Sequence, residues 1–272
     1  MKKIILPAHY NYIGVFLTLR CGLGCSYCLN RYDKFFKQNE MAVPYWLKGL
    51  SRIKTREDLP LTLQGGEPTM YEGFYDISQI LHQRGKHLDL LTNGMFDIDD
   101  FRKLPANVFK RKAKYASIRF SFHKDTDPYV LAMKAWYMQN KGYQVGIWGL
   151  GESEENNKMA KICRQLNIDF RLKEFLAENS GTYKYPEAHL KKFKKKVSCK
   201  PSEFLISPSG YIHRCHADLY AGRNPIGHIL DKKIEFQGFF PCSHYGHCNP
   251  CDIKLKTNRF QEGGHCSVEI KL

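Results

Sequence analysis

The sequence has 272 residues, of which 43% are hydrophobic, so it can bury one large core or a core with a small appendage. No run approaches the roughly 18 apolar residues of a membrane span, and Pro7, His9 and Asn11 interrupt the apolar start before signal-peptide length, which excludes the membrane and predicts a cytoplasmic location. The net charge of +15 favours an acidic partner, whether a nucleic acid, an anionic small molecule or an acidic peptide.

Six apolar or β-branched runs predict strands, and helix-favouring segments lie between them. The predicted strands are 14–20, 59–64, 87–92, 116–122, 143–148 and 168–173. The predicted helices are 43–54, 71–84, 98–104, 128–141 and 153–166. Six βα units imply a parallel sheet, either doubly wound or curled into a partial barrel, with reactive groups at the carboxyl ends of its strands.

Ten cysteines in a chain without a secretory segment favour metal ligands over disulfides, because a reducing cytosol keeps thiols available. Three lie between Cys21 and Cys28, six lie between Cys199 and Cys266, and Cys163 stands alone. The grouping predicts two independent metal sites.

The first group follows the first predicted strand, where Cys21, Cys25 and Cys28 supply three thiolates with the spacing CxxxCxxC. Three ligands are informative, because a four-iron cluster held by three cysteines leaves one iron open, whereas structural zinc and structural clusters normally take four protein ligands. A zinc loop completed by a distant residue and three unrelated cysteines are the alternatives.

This motif, with the aromatic Tyr27 before its last cysteine, resembles the signature of the radical S-adenosylmethionine (radical SAM) superfamily. The resemblance implies that Cys21, Cys25 and Cys28 hold a [4Fe-4S] cluster whose open iron is chelated by SAM, and that Tyr27 lies near the adenine. It also implies reductive cleavage of SAM to a 5'-deoxyadenosyl radical, and a fold of the partial (β/α)6 TIM-like barrel type.

A second element, Gly65-Gly66-Glu67-Pro68, directly follows the second predicted strand. Paired glycines let backbone approach a ligand without a Cβ, and Glu67 offers an acceptor for an ammonium group. Alone it is an ordinary loop. After the cysteine motif it resembles the family's motif for the methionine amino group of SAM.

Further candidates follow from the barrel interpretation. Asn93 ends the third strand in a region that approaches SAM in the family, although a simple turn is the alternative. Polar residues alternate along the fourth strand, so Ser121 and His123 are candidates for the SAM ribose. Arg171 and Lys173 alternate on the sixth strand and would need an anion such as the SAM carboxylate or a substrate group, unless that strand is an exposed edge.

The pattern changes after residue 173, and three segments are predicted: a core over 1–180, a basic linker or helix over 181–198, and a cysteine-rich extension over 199–272. The extension has one clear hairpin, 203–206 and 211–215 around Ser207-Pro208-Ser209-Gly210. So little core predicts that the extension needs a metal to fold.

The extension resembles the auxiliary-cluster domain called SPASM and its shorter form called twitch, although it has six cysteines where full SPASM has seven. One auxiliary [4Fe-4S] cluster is favoured, and zinc is the alternative. The ligands expected from the resemblance are Cys199, Cys215, Cys248 and Cys251, with Cys242 and Cys266 as further candidates.

Together these features predict a radical SAM iron-sulfur enzyme, either peptide-modifying or of oxidoreductase type, that abstracts hydrogen from a peptide or protein. A small-molecule dehydrogenase acting on a sugar or aminocyclitol is the second reading, and RNA modification is the third. A zinc-dependent nucleic-acid-binding protein is the alternative of another class. The expected partners are an electron donor such as flavodoxin or ferredoxin, and a substrate of acidic character.

Overall fold

The computed structural model of the protein describes residues 2–25, 28, 39–113, 115–123, 126–173, 195–236, 238–245 and 268–271. Its strands are β1 (Tyr12–Thr18), β2 (Leu61–Gly65), β3 (Leu88–Thr92), β4 (Ile118–Ser121), β5 (Val145–Leu150), β6 (Asp169–Lys173), β7 (Lys195–Pro201), β8 (Glu203–Ile206), β9 (Tyr211–His213), β10 (Gly227–His228), β11 (Phe240–Tyr245) and β12 (Val268–Lys271). Its helices are α1 (Val43–Leu50), α2 (Phe74–Gln83), α3 (Ile98–Phe101), α4 (Pro128–Asn140), α5 (Glu154–Gln165) and α6 (His216–Tyr220).

The six predicted strands and five predicted helices are all confirmed, and β1 to β6 pair in sequence order, each parallel to the next. The protein is therefore of the predicted α/β class, with a parallel sheet at its centre. Within the described residues this sheet has nine strands in the order β10-β9-β8-β1-β2-β3-β4-β5-β6.

The two faces of the parallel sheet differ in chemistry because side chains alternate along each strand. The apolar face packs against the helices and forms the core, through residues such as Val15, Leu63, Leu90, Phe120 and Ile147. The opposite face carries polar and charged side chains, among them Asp89, Arg119 and Arg171.

Capping residues begin two helices where the sequence predicts them. Asp127 accepts hydrogen bonds from the backbone N–H groups of Tyr129 and Val130, with Pro128 at the first helical position. Ser153 accepts from the N–H of Asn156 at the start of α5. These caps fix where the chain turns back after β4 and β5.

The hairpin of the cysteine-rich segment is also present, but it lies in the main sheet. β8 pairs parallel to β1, and β9 and β10 continue the sheet as antiparallel strands. All four residues of β8 are buried, so this strand is built for the interior of a sheet. The predicted extension, residues 199–272, therefore contributes three strands to the same sheet as the predicted core.

A second sheet has three antiparallel strands in the order β11-β7-β12. Its central strand includes Lys195 and Lys196, which were expected in a linker or helix. The earlier part of the predicted basic linker, residues 181–194, lies outside the described residues.

Candidate active site

The candidate site lies where β1 to β4 end, at one edge of the sheet. The cysteine loop follows β1, Gly65 and Gly66 lead into Glu67 after β2, Asn93 follows β3, and His123 follows β4. Parallel strands place their carboxyl ends at the same edge, which is why segments about 100 residues apart in sequence meet there.

The three cysteines of the loop are partly exposed, and none of them is in a disulfide. The backbone N–H of Cys28 donates to the carbonyl of Cys25 at 3.1 Å. Two side chains from other strands reach the sulfurs: Asn93 Nδ2 lies 3.7 Å from Cys21 Sγ, and His123 Nδ1 lies 3.6 Å from Cys25 Sγ.

The glycine loop after β2 is bound to the chain that leaves β1. The N–H of Gly66 donates to the Thr18 carbonyl at 3.0 Å, and the N–H of Glu67 donates to the Arg20 carbonyl at 2.7 Å. A Cβ on Gly66 would overlap the Arg20 carbonyl oxygen, and Gly65 has a φ of +138°. These glycines therefore let the backbone after β2 lie against the residues that immediately precede the cysteine loop.

Glu67 is buried, with 2% of its surface exposed, and its carboxylate accepts four hydrogen bonds. Oε1 accepts from Thr69 N at 3.2 Å, Thr69 Oγ1 at 2.8 Å and Thr92 Oγ1 at 2.8 Å, and Oε2 accepts from Asn93 N at 2.7 Å. Burial raises the pKa of Glu67, against the lowering effect of these hydrogen bonds. Pro68, also buried, opens a 3₁₀ turn over Pro68–Met70.

Asn93 joins the two motifs. Its backbone N–H binds Glu67, its side-chain Nδ2 faces Cys21, and its Oδ1 accepts from Met95 N at 2.8 Å. The contact with Cys21 was not predicted, because a strand-end Asn carries no local signal of a partner 72 residues earlier in the chain.

The two weaker candidates from later strands occupy different environments. Ser121 is the last residue of β4 and lies opposite Trp148 in the sheet register. Arg171 pairs with Asp169 two residues earlier, with Nη2 to Oδ2 at 3.0 Å, so its charge is already matched. Its guanidinium also lies over the Trp148 ring, 5.6 Å from the centroid.

A buried ion cluster lies deeper along the same strands. Asp89 pairs with Arg111 at 2.6 Å and with Arg119 at 3.1 Å. Arg119 and Arg171 both lie over the ring of Trp148. Arg119, Trp148 and Arg171 share the face opposite the helices, so this face carries an aromatic ring between two paired guanidinium groups.

The loop fits a [4Fe-4S] cluster by its donor chemistry: three thiols at one strand end, unpaired by disulfides, with the amide N–H of Asn93 directed at Cys21 and an imidazole nitrogen of His123 beside Cys25. In the part of the chain that the structure describes, no three His, Cys, Asp or Glu side chains form a group that could hold a metal ion. Tyr27 lies outside the described residues.

The C-terminal cysteines are described only in part. Cys199 in β7 lies opposite Phe240, and Cys242 in β11 lies opposite Val197, so the two cysteines are diagonal neighbours on one face of the second sheet. Cys215 precedes α6 and has no disulfide. Cys248, Cys251 and Cys266 lie outside the described residues.

Over the residues with a described structure, every helix is too short or too polar to cross a bilayer.

Residues 15–112 match the family model described as Radical SAM superfamily, and this range contains Cys21, Cys25, Cys28, Glu67 and Asn93. This part of the chain is therefore similar to the radical SAM superfamily. The family implies a [4Fe-4S] cluster and SAM as cofactors.

Two curated relatives match over part of their length. A PqqA peptide cyclase of Ruegeria pomeroyi is 30% identical over 79 residues, which cover 29% of this chain and 21% of the cyclase. An S-adenosylmethionine-dependent nucleotide dehydratase of Selenomonas ruminantium is 23% identical over 124 residues, which cover 45% of this chain and 43% of the dehydratase. The chain thus matches less than half the length of each relative.

Solved structures share the fold over a larger part of the chain. SuiB of Streptococcus suis, bound to precursor peptide SuiA, has a TM-score of 0.55 and 14% identity, covering 82% of this chain and 63% of SuiB. The protein anSMEcpe, with bound AdoMet and a Cp18Cys peptide, has a TM-score of 0.54 and 16% identity, covering 81% of this chain and 78% of that protein. At these identities the likeness establishes the fold.

Proposed function

We propose that this protein is a radical SAM enzyme that modifies a peptide or protein. The observation that carries the proposal is the meeting of the cysteine loop and Glu67 at one sheet edge, with Asn93 bonded to Glu67 and directed at Cys21. When bound, the cluster and SAM would supply a 5'-deoxyadenosyl radical that abstracts hydrogen from the substrate.

The residues of the chain have distinct roles in this proposal. Cys21, Cys25 and Cys28 would hold the cluster. The carboxylate of Glu67, whose orientation four donors fix, would accept a hydrogen bond from the ammonium group of SAM. Tyr27 near the adenine, and Ser121 near the ribose, stay predictions.

A peptide substrate is favoured because the named relatives and structural neighbours include a peptide cyclase, SuiB with a precursor peptide and anSMEcpe with a peptide. An acidic substrate is favoured by the net charge of +15. A role for Arg171 in binding the SAM carboxylate or a substrate anion stays a prediction, because Asp169 already matches its charge.

A small-molecule substrate is the second candidate. The nucleotide dehydratase matches a longer part of this chain than the peptide cyclase does, 45% against 29%. A nucleotide is also an anion, so the charge does not separate the two substrates. Adding acidic peptides or nucleotides to the anaerobically reconstituted enzyme, and measuring substrate-dependent 5'-deoxyadenosine, separates them.

We further propose one auxiliary [4Fe-4S] cluster on the C-terminal cysteines, a cytoplasmic location and a flavodoxin or ferredoxin as electron donor. The diagonal placement of Cys199 and Cys242 on one sheet face makes Cys242 a stronger ligand candidate than its spacing alone suggested. Cys215, Cys248, Cys251 and Cys266 remain the other candidates.

The central test is to replace Cys21, Cys25 and Cys28 together by Ala. We expect 5'-deoxyadenosine formation to be abolished while about four irons per chain remain at the separate auxiliary site. Cys163→Ala is the matched control, because Cys163 is a buried core thiol whose pKa burial raises to about 12. A triple variant that still cleaves SAM would overturn the proposed function, and loss of all iron would contradict an independent auxiliary site.

A further inference from the structure

Asn93 is held by contacts that fix both its backbone and its amide. The residue is 6% exposed, and its Oδ1 accepts from Met95 N, which leaves Nδ2 as the end of the amide that faces Cys21. A hydrogen-bond donor is thus directed at a sulfur that the proposed function assigns to iron.

The turn that carries Asn93 is itself fixed. Gly94 has a φ of +74°, and its N–H donates to Thr92 Oγ1 at 3.0 Å. Lys134 from α4 donates to the carbonyls of Gly94 at 2.8 Å and Phe96 at 2.7 Å. These contacts fix the turn from which the amide of Asn93 extends toward Cys21.

We propose that Asn93 is a positioning residue that raises the reduction potential of the SAM-binding cluster by donating an N–H···S hydrogen bond to Cys21. This inference rests on the proposed function. A donor stabilises a thiolate more when the cluster carries the added electron, so the bond favours the reduced state. His123 approaches a second sulfur, but its imidazole proton can sit on either nitrogen, whereas an amide donor is fixed.

The test compares two substitutions at position 93 in the anaerobically reconstituted protein. Asn93→Leu keeps the approximate shape and removes the donor. Asn93→Asp keeps the acceptor for Met95 N and places a negative charge beside Cys21. The midpoint potential of the cluster is measured by redox titration followed by EPR, in the triple Cys199→Ala, Cys215→Ala, Cys242→Ala background if auxiliary iron overlaps.

We expect the equilibrium constant for cluster reduction to fall about tenfold in Asn93→Leu, which is ~59 mV for a one-electron couple, and to fall further in Asn93→Asp. The matched control is Asn156→Leu, which removes an equally buried amide, 5% exposed, whose Nδ2 donates to the carbonyls of Leu150 and Gly151. That variant should lose stability without moving the potential.

Equal potentials in the parent and Asn93→Leu would overturn the inference while leaving the proposed function standing, provided the parent holds the cluster and cleaves SAM. A parent without a SAM-cleaving cluster would overturn the proposed function instead. If Asn93→Leu does not bind iron, the smaller Asn93→Ala, which also lacks the donor and adds no charge, takes its place, and an unchanged potential there contradicts the hydrogen bond.

Discussion

At the residue scale, Glu67 is the most constrained side chain of the candidate site. Its two oxygens face four donors, three on Oε1 and one on Oε2. An amide in its place would have to turn its NH2 group toward one of these donors. Glu67→Gln should therefore weaken SAM binding by about 1.5–3 kcal/mol through the lost charge, and should also lower the free energy of unfolding by about 1–3 kcal/mol.

Isothermal titration with SAM and denaturant unfolding measure the two effects separately. Glu72→Gln is the control, because Glu72 is an exposed carboxylate five residues further along the chain. If affinity and stability both stay at parent values, Glu67 is no more than a loop residue.

The sequence predicts the chemistry of single residues better than their partners. The motifs identify the three cysteines and Glu67, because thiols at ligand spacing and an acid after paired glycines are local patterns. The contacts of Asn93 with Cys21 and of His123 with Cys25 could not be predicted, since they join residues 72 and 98 positions apart. Arg171 was interpreted as a cation in need of an anion, but Asp169 on its own strand already supplies one.

At the element scale, the glycine loop binds the end of β1 to the end of β2. Gly66→Ala would press a Cβ against the Arg20 carbonyl, and backbone cannot move aside as a flexible side chain can. We expect a loss of about 1–3 kcal/mol in unfolding free energy and a shifted cysteine loop with reduced cluster loading. Thermal unfolding and iron analysis check this.

Gly238→Ala serves as the matched control for Gly66→Ala. A Cβ at Gly238 would meet no atom within 4 Å, so its stability and iron content should equal those of the parent. Full iron loading and unchanged stability in Gly66→Ala would show that the two strand ends move independently.

The order of the first six strands could be predicted because each hydrophobic run and its following helix is a local pattern. The placement of β8 could not. Its residues predict a hairpin, but nothing in them indicates that the hairpin pairs with β1, whose edge lies about 190 residues earlier. The pairing is favoured because it buries both faces of β8, and this burial depends on the folded sheet and not on the local sequence.

At the scale of the whole molecule, Asp218 connects the two sheets through its arginine partners. It accepts from Arg214 Nε at 2.7 Å and Arg223 Nε at 2.8 Å, and Arg214 lies over the ring of Phe240 in β11, 3.5 Å from its centroid. Burial acts to raise the pKa of Asp218, but the hydrogen bonds from Arg223 and Arg214 outweigh it, so the pKa lies below its ordinary value of 3.8.

A carboxyl group whose pKa is lower in the folded state stabilises the fold above its unfolded pKa and stops doing so as the pH falls through the folded value. Asp218→Asn should therefore cost about 2 kcal/mol near pH 7, and the difference from the parent should shrink below about pH 4. Urea unfolding across this range measures it. The control Asp99→Asn removes an exposed ion pair with Arg102 and should change the free energy of unfolding little at any pH. If the difference in free energy of unfolding between Asp218→Asn and the parent stays constant across the pH range, the lowered pKa of Asp218 is contradicted.

The pairing of β8 with β1 has a consequence for how the chain is made. Tyr12 lies opposite Glu203, so the two strands are about 190 residues apart. At about 5–20 residues per second, a ribosome needs roughly 10–40 s to synthesise that interval. During that time the outer edge of β1 presents unpaired N–H and C=O groups to any neighbouring strand. The newborn chain is therefore most exposed to self-association before residue 206 emerges, and a chaperone that covers β1 would protect it in that interval.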